Sequence, residues 1–276
     1  MAQLDKNSFA PFLGKIDGAT VYMRNGKPVM RKSKNSKPNP TKSASQSAAR
    51  MKWNNVQRLW SEFPKDWQPI YQNRKAGSTN YNAFMSENMH TTPIYFTRKE
   101  KENYASVLVP LQITQGILPE IQTSLDEQGL TSKISTGDFE VTTETTLGQF
   151  AHAVIANNRN FANGDVITFV QGYQHFDGQE QTPRAIFKCN ALELDITSST
   201  PLLQAIGGRD GFEIRNGHVA SFVTTGAATW VHSRVNDNQT LVSSQRLWCD
   251  NAETIAQYTS PEALARAQRS YGAIKQ

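Results

Sequence analysis

From about residue 104 onward, the chain consists mainly of short runs of β-forming residues separated by turn signals. Dipeptides such as Asp177-Gly178 and Asn216-Gly217 readily adopt the backbone angles of tight turns. Many short strands with such turns between them favour an antiparallel β-sandwich or a barrel-like domain. The predicted strands are 107–113, 139–146, 166–173, 185–187, 192–196, 219–224, 229–235 and 240–248.

One or two helices are expected within this β-rich part. Apolar residues at helical spacing predict a helix that begins at Leu147. Ser260 followed by Pro261 predicts the start of a last helix, because serine caps helix N-termini and proline is favoured at the first helical position.

The first 47 residues predict a small β-structure followed by a basic arm. Asn25-Gly26 lies between two β-forming runs and predicts a β-hairpin, with Pro28 on an edge strand. A third short strand is predicted at 14–16. Residues 32–47 contain almost no apolar side chain, which is typical of an extended basic arm or linker.

A helical pattern begins near Ala44, and it predicts three short amphipathic helices. The first ends before Pro64, the second spans Trp67 to Arg74, and the third begins at Ser78. In the first helix, the residues predicted to face inward are Ala49, Trp53, Val56, Leu59, Trp60 and Phe63. The residues predicted to face outward are Arg50, Asn54 and Arg58.

The sequence therefore predicts an α+β protein with two domains. Residues 1–103 form a basic N-terminal region of hairpin, arm and small helical segment. Residues 104–276 form a mainly antiparallel, β-rich C-terminal domain.

Charge is distributed unevenly between these two regions. Residues 1–103 contain 18 Lys and Arg against 7 Asp and Glu, a net charge of +11, whereas residues 104–276 carry a net charge of −6. This polarity indicates that the first region meets a polyanion or an acidic partner surface. The predicted nucleic-acid-binding residues are Arg31, Lys32, Lys34, Lys37, Lys42, Arg50 and Arg58. The alternative is that the basic arm is only a solvated linker.

The common catalytic motifs are missing from the sequence: there is no phosphate loop, nucleophile elbow or His-Glu-x-x-His pair. We therefore expect a protein that is not an enzyme and that has no cofactor or metal. Glu193 and Asp195 are interpreted as the solvated outer face of a strand, although a metal site is an alternative. His232 is interpreted as a strand histidine satisfied by local hydrogen bonds.

The remaining features have ordinary structural interpretations. The glycine-rich stretch 207–211 is a turn rather than a phosphate cradle. Cys189 and Cys249 are expected to be free thiols. No stretch approaches the roughly 20 apolar residues that a bilayer-spanning helix needs, so we expect no membrane insertion and synthesis in the cytoplasm.

Several short motifs resemble those of a known group of proteins. They are Gly14-Lys15, Asn39-Pro40-Thr41 with Gln46 and Arg50, Leu59-Trp60, Asn82-Ala83-Phe84 before Asn88, 115–119, 232–234 and 242–245. In this order they resemble an uncharacterised domain-of-unknown-function family of Bacteroidetes and their bacteriophages. The sequence departs from the family pattern at Lys42, where the family usually has an arginine before the threonine, and the spacing to Gln46 is one residue longer. The resemblance implies an immunoglobulin-like C-terminal part and a phage or mobile-element setting, and it implies no reaction.

Three functions compete on this basis. The first is a virion-associated structural or assembly protein that contacts copies of itself and other particle proteins, with its basic arm on nucleic acid or an acidic neighbour. The second is an intracellular DNA-binding protein whose contacts are electrostatic and sequence-tolerant. The third is a sugar binder or hydrolase that uses Trp230, Trp248, Glu193 or Asp195.

Overall fold

The computed structural model of the chain describes residues 2–3, 14–16, 18–24, 26–32, 44–178, 181–208, 211–222, 226–237 and 239–272. It separates into two compact units, residues 1–42 and residues 43–276. We predicted a division between residues 103 and 104. The structure instead groups the helices that follow residue 43 with the β-rich part, because these helices share a hydrophobic core with one of its sheets.

The smaller unit contains an antiparallel sheet. Its strands are β1 (Ala2–Gln3), β2 (Gly14–Ile16), β3 (Ala19–Arg24) and β4 (Lys27–Lys32), in the order β1-β4-β3-β2. The predicted hairpin joins β3 to β4, with Gly26 at a φ of +72° in the turn. The predicted third strand is β2.

Pro28 does not lie on an edge strand, because β4 is flanked by β3 and β1. Strand β1 pairs only with Val29 and Met30, so the described pairing on that side stops one residue before the proline.

The larger unit combines helices with two sheets. Its helices are α1 (Ala44–Glu62), α2 (Asn80–Asn88), α3 (Arg98–Glu102), α4 (Leu147–Asn157), α5 (Leu202–Ala205), α6 (Ala252–Thr259) and α7 (Pro261–Ser270). Its strands are β5 (Leu111–Thr114), β6 (Thr123–Asp126), β7 (Gly129–Ser135), β8 (Val166–Asp177), β9 (Thr182–Glu193), β10 (Glu213–Arg215), β11 (His218–Ser221), β12 (Gly226–Asn236), β13 (Gln239–Val242) and β14 (Gln245–Cys249).

Both sheets of this unit are antiparallel. A six-stranded sheet has the order β5-β14-β12-β8-β9, with β13 also paired to β12, and a four-stranded sheet has the order β10-β11-β7-β6. In the described residues neither sheet closes into a barrel. The predicted α+β class with a β-rich C-terminal part is confirmed.

The six-stranded sheet is buried on both faces. Side chains alternate across a strand, so Val170 and Val231 lie in one hydrophobic core while Phe169 and Trp230 lie in the other. Helices α1, α2 and α6 contribute to the first core. Helix α4 and strands β7 and β11 contribute to the second. The sheet is thus the middle layer of the unit.

Helix α1 has the predicted bounds but a rotated buried face. Val56, Leu59 and Phe63 are buried as predicted, whereas Trp53 is 41% exposed and Ala49 is exposed. Asn55 occupies an inward position instead: its Nδ2 donates to the carbonyl of Val107 (2.9 Å), and its Oδ1 accepts from the amide of the same residue (2.9 Å). A prediction that places only apolar residues inward misses this polar contact.

The predicted second helix, Trp67 to Arg74, is wrong. Tyr71 instead forms an isolated parallel bridge with Gln115, and the amide of Gln72 donates to the Gln115 carbonyl (2.7 Å). Pro69 lies inside the predicted helix, where it removes a backbone donor. The third predicted helix is observed as α2, capped by Thr79.

Several predicted strands also differ from the structure. The predicted strand 192–196 is the end of β9, which stops at Glu193, and the predicted strand 240–248 is divided into β13 and β14. Residues 139–146 form no strand, because the chain there turns and Thr146 caps helix α4 with Gln149 in a capping box. Residues 107–109 are extended and fully buried but lie outside the sheet ladder. Side-chain amides bind their backbone instead, with Gln174 Oε1 accepting from the Leu108 amide (2.9 Å) and Asn251 Nδ2 donating to the Leu108 carbonyl (2.8 Å).

Replacing Trp60 by alanine is expected to lower the free energy of unfolding by about 3 kcal/mol or more. The Trp60 ring lies 5.6 Å from the Tyr81 ring and 5.2 Å from the Phe84 ring, and these contacts would be lost. Trp53→Ala is the matched control on the same helix and is expected to change stability by less than about 0.5 kcal/mol. Urea denaturation of both variants tests this, and equal losses would contradict the observed orientation of α1.

Candidate functional site

One face of the N-terminal sheet is strongly basic. Cross-strand partners in an antiparallel sheet point to the same side, and β3 and β4 pair Thr20 with Arg31 and Arg24 with Lys27. Lys15 of β2 pairs with Thr20 and joins the same side. We call this surface the basic face; its cations are Lys15, Arg24, Lys27 and Arg31, and all four are exposed.

The basic face also carries an aromatic ring and a repulsive pair. The guanidinium of Arg31 lies 5.4 Å from the centroid of the Tyr22 ring. Arg24 and Lys27 are direct cross-strand partners, which is an unfavourable arrangement for two like charges. Among the described residues of this unit there is no acidic side chain to compensate, since its carboxylates, Asp5 and Asp17, lie outside the described ranges.

The structure separates several of the predicted binding residues. Arg31 lies on the basic face, whereas Lys32 is exposed on the opposite side, paired with Ala19. Lys34, Lys37 and Lys42 lie outside the described residues.

Arg50 and Arg58 both lie on α1, in the larger unit, but they differ in availability. Arg50 is exposed. Arg58 is half-buried: its Nε lies 2.7 Å from a Glu62 carboxylate oxygen, and its guanidinium lies 4.8 Å from the Tyr104 ring centroid. Arg58 already has a local partner for its charge, so it is a poorer candidate for phosphate contact than Arg50.

Sequence reasoning missed Lys15, Arg24 and Lys27 as members of the basic face. The signal was available, because the two-residue turn at Asn25-Gly26 fixes the register of the hairpin. That register places every second residue of β3 and β4 on one side, and Arg24, Lys27 and Arg31 fall there together.

A second polar cluster is buried in the larger unit. Asp165 is 1% exposed and His232 is 1% exposed, and His232 Nε2 lies 2.9 Å from Asp165 Oδ2. Arg234 donates to both carboxylate oxygens of Asp165, from Nε at 2.6 Å and from Nη2 at 2.7 Å. The amide of Ala162 donates a further hydrogen bond to Oδ2 (2.8 Å). The Arg234 side chain itself is 37% exposed. We call Asp165, His232 and Arg234 the buried triad, after its two buried members.

Electrostatics keep the carboxylate of this triad charged and its imidazole neutral. Burial by itself raises the pKa of Asp165, but hydrogen bonds from Arg234, the Ala162 amide and His232 outweigh burial and hold the pKa below its ordinary value. Burial lowers the pKa of His232, although its hydrogen bond to Asp165 acts in the opposite direction.

The triad was missed because its members are far apart in the sequence. Asp165 stands in the turn Asn163-Gly164-Asp165, 67 residues before His232. An aspartate in a turn normally serves the turn itself. The alternation of His232 and Arg234 along one strand places them on the same side, but it does not identify their common partner.

The structure adds no support for a binding site at the other sequence candidates, Glu193, Asp195 and Trp230. Glu193 is exposed at the end of β9, and Asp195 accepts hydrogen bonds from Thr197 just beyond it. Within the described ranges, no group of three or more His, Cys, Asp or Glu side chains is arranged to hold a metal ion. Trp230 is buried in the core and stacks on Phe169, with 5.4 Å between ring centroids.

No helix in the part of the chain that the structure describes is long and apolar enough to span a membrane. No protein-family model, curated protein or solved structure matches this chain.

Changing Asp165 to asparagine is expected to lower the free energy of unfolding by about 3 kcal/mol, because it leaves Arg234 and the buried His232 without their shared carboxylate. Glu193→Gln is the control, since it removes an exposed carboxylate on the neighbouring strand. Its expected effect is below about 0.5 kcal/mol. Chemical denaturation of both variants measures the difference, and an equally small effect at Asp165 would contradict a stabilising role for the triad.

Lowering the pH is expected to destabilise the protein through His232. The unfolded chain takes up a proton at this residue near its ordinary pKa of about 6.5, whereas the folded protein does so only at lower pH. The free energy of unfolding therefore falls below about pH 6.5, by at most about 1.4 kcal/mol per pH unit for one proton. The lowered pKa of Asp165 adds a loss of the same sign near pH 4 and below. Urea denaturation between about pH 7.5 and 5 should show a flatter dependence in His232→Asn, and an unchanged dependence would contradict this assignment.

Proposed function

We propose that this chain is a non-enzymatic structural or assembly protein of a bacteriophage or mobile element, and that it binds nucleic acid through its basic N-terminal unit. The basic face is the observation that carries the nucleic-acid part. Four exposed cations share one side of a small sheet, and two of them are direct cross-strand partners.

The like-charge pair Arg24 and Lys27 favours a polyanionic ligand in particular. Like charges directly opposite one another destabilise a sheet, and a phosphate between them would turn this repulsion into attraction. Residues 1–42 as a whole contain nine Lys and Arg against two Asp, so the net charge of the unit also attracts an anion.

The expected contact is to the phosphate backbone and is tolerant of sequence. Lysine and arginine contacts to phosphate position a protein on nucleic acid but carry no base specificity. Arg50 on α1 and the lysines of the arm, Lys34, Lys37 and Lys42, are further candidates for the same kind of contact.

The particle setting is supported by the motif resemblance and not by the geometry. In that setting, the partners are copies of the chain and other particle proteins. The protein would be made in the host cytoplasm and then enter the virion. The second candidate is an intracellular, sequence-tolerant DNA-binding protein, which the same basic face supports equally well.

Fluorescence anisotropy with a labelled DNA duplex tests the basic face. A Lys15→Ala, Arg24→Ala, Lys27→Ala, Arg31→Ala variant is expected to bind more weakly than the unmodified chain. Each phosphate contact that is lost should reduce the magnitude of the log–log salt slope by roughly 0.9. Thermal stability should not fall, because exposed cations contribute little to folding.

Lys32→Ala is the matched control, because Lys32 is an exposed cation on the opposite side of the same strand. A Lys34→Ala, Lys37→Ala, Lys42→Ala variant tests the arm separately. If the arm variant loses affinity and the basic-face variant does not, the arm rather than the sheet is the binding element. If neither variant changes affinity or salt slope, the nucleic-acid proposal is wrong.

The particle setting needs a different measurement. Mass spectrometry of purified particles should detect the chain, and light scattering should report an assembly larger than one 30.8 kDa chain. A chain that is absent from particles but still binds DNA would favour the intracellular candidate.

A further inference from the structure

A cavity of about 430 Å³ lies in the larger unit, next to the buried triad. Its wall is formed by residues 119–122, by two residues of β7 and by the loop that follows α4. His232 of the triad is also part of this wall. The cavity lies within the size range of small-molecule sites.

The imidazole of His232 is fixed by the carboxylate behind it. Because Asp165 Oδ2 can only accept, the hydrogen bond at 2.9 Å places the ring proton on Nε2. The other ring nitrogen, Nδ1, then carries a lone pair and can accept a hydrogen bond. Nδ1 has no hydrogen-bond partner among the residues that the structure describes.

The side chains around the cavity combine polar and apolar groups. Phe161 packs against the imidazole, with 4.4 Å between ring centroids. Ile121 and Ile134 add aliphatic surface, while Lys133 and Glu120 add one ammonium and one carboxylate. The wall therefore has no net charge from its ionised side chains, taking His232 as neutral.

We propose that this cavity binds a single saccharide unit, with a sugar hydroxyl donating to His232 Nδ1 and the C–H face of the sugar against Phe161. A hydroxyl both donates and accepts, so it can serve Nδ1 and also reach the ammonium of Lys133 or the carboxylate of Glu120. The residues involved are not the ones that the sequence offered for sugar binding, since Trp230 is part of the core.

Charged ligands fit the same wall less well. A carboxylate or a phosphate dianion presents only acceptors, so it offers no proton to Nδ1. An ammonium ligand could donate to Nδ1, and its attraction to Glu120 would be offset by its repulsion from Lys133 in the same wall. With no net charge, the wall gives a singly charged ligand no compensation for the water it loses, which is a cost that a neutral, hydroxylated ligand does not have.

NMR titration of the full chain, with isotope-labelled histidine, tests the proposal. The probes are D-glucose, D-galactose, D-mannose and N-acetyl-D-glucosamine, with sodium acetate and methylammonium chloride as charged comparisons. At least one sugar is expected to shift the Nδ1 resonance of His232 in a saturable way, and the charged probes are expected to shift it less.

Two wall variants leave the triad intact. Phe161→Leu removes the aromatic face, and Lys133→Ala removes an exposed ammonium. Each is expected to weaken binding of the active sugar by about threefold to tenfold, in line with the loss of one contact of about 1 kcal/mol. Glu193→Gln lies outside the wall and should leave the affinity unchanged.

Three results would overturn the proposal. One is the absence of a saturable His232 shift with any of the sugars. Another is a larger saturable shift with acetate or methylammonium than with the sugars. The third is sugar affinity that is unchanged in both wall variants while circular dichroism shows that they are folded, because binding would then lie elsewhere on the chain. None of these results depends on the basic face, so the proposal stands or falls separately from nucleic-acid binding.

Discussion

The two-sided burial of strands β8 and β12 is the constraint on which the larger unit depends. These strands pair over eight residues, from Gly226 with Tyr173 to Ser233 with Val166, and alternate side chains enter opposite cores. A sheet with two apolar faces must be covered on both sides. Helices α1, α2 and α6 cover one face, and helix α4 with strands β7 and β11 of the four-stranded sheet of this unit covers the other. Residues 44–103 are therefore part of this unit and cannot form a separate domain.

Buried side-chain amides complete what the sheet ladder leaves open. The buried segment 105–109 lies outside the named strands. Its Ser106 amide donates to the Pro183 carbonyl of β9 (2.9 Å), and its other backbone groups need further hydrogen bonds. Asn55 of α1, Gln174 of β8 and Asn251, just before α6, supply several of them. Asp165 likewise connects separate segments, but through a charged group. Its carboxylate accepts hydrogen bonds from two residues of β12 and from the Ala162 amide. Polar residues thus fix the positions of elements that apolar packing alone would leave free to slide.

Local signals predicted the elements that depend on local physics. Turn dipeptides identified the β3–β4 hairpin, apolar residues at helical spacing identified α4, and Ser260 followed by Pro261 identified the start of α7. The predictions that were wrong concern residues whose conformation depends on a partner far away in the sequence. Tyr71 forms a bridge with Gln115 instead of the predicted helix, and Asn55 faces inward and binds the backbone of Val107. The buried triad was not predicted for the same reason: no residue near Asp165 in the sequence identifies His232 as its partner. Arg24 and Lys27 were different, since their common side followed from the register of the β3–β4 hairpin alone, whereas Lys15 joins them through the pairing of β2 with β3.

The basic face differs from the triad in what its charges do for the fold. Asp165 and Arg234, the charged members of the triad, are hydrogen-bonded to each other, so removing Arg234 leaves the Asp165 carboxylate in a low-dielectric interior without its cation. Lys15, Arg24 and Lys27 have no ion-pair partner within the described ranges, and two of them repel each other across the hairpin. An anion that binds the folded hairpin but not the unfolded chain would stabilise the sheet by mass action. An anion bound there would relieve the repulsion between Arg24 and Lys27, so its binding would add to the stability of the N-terminal sheet.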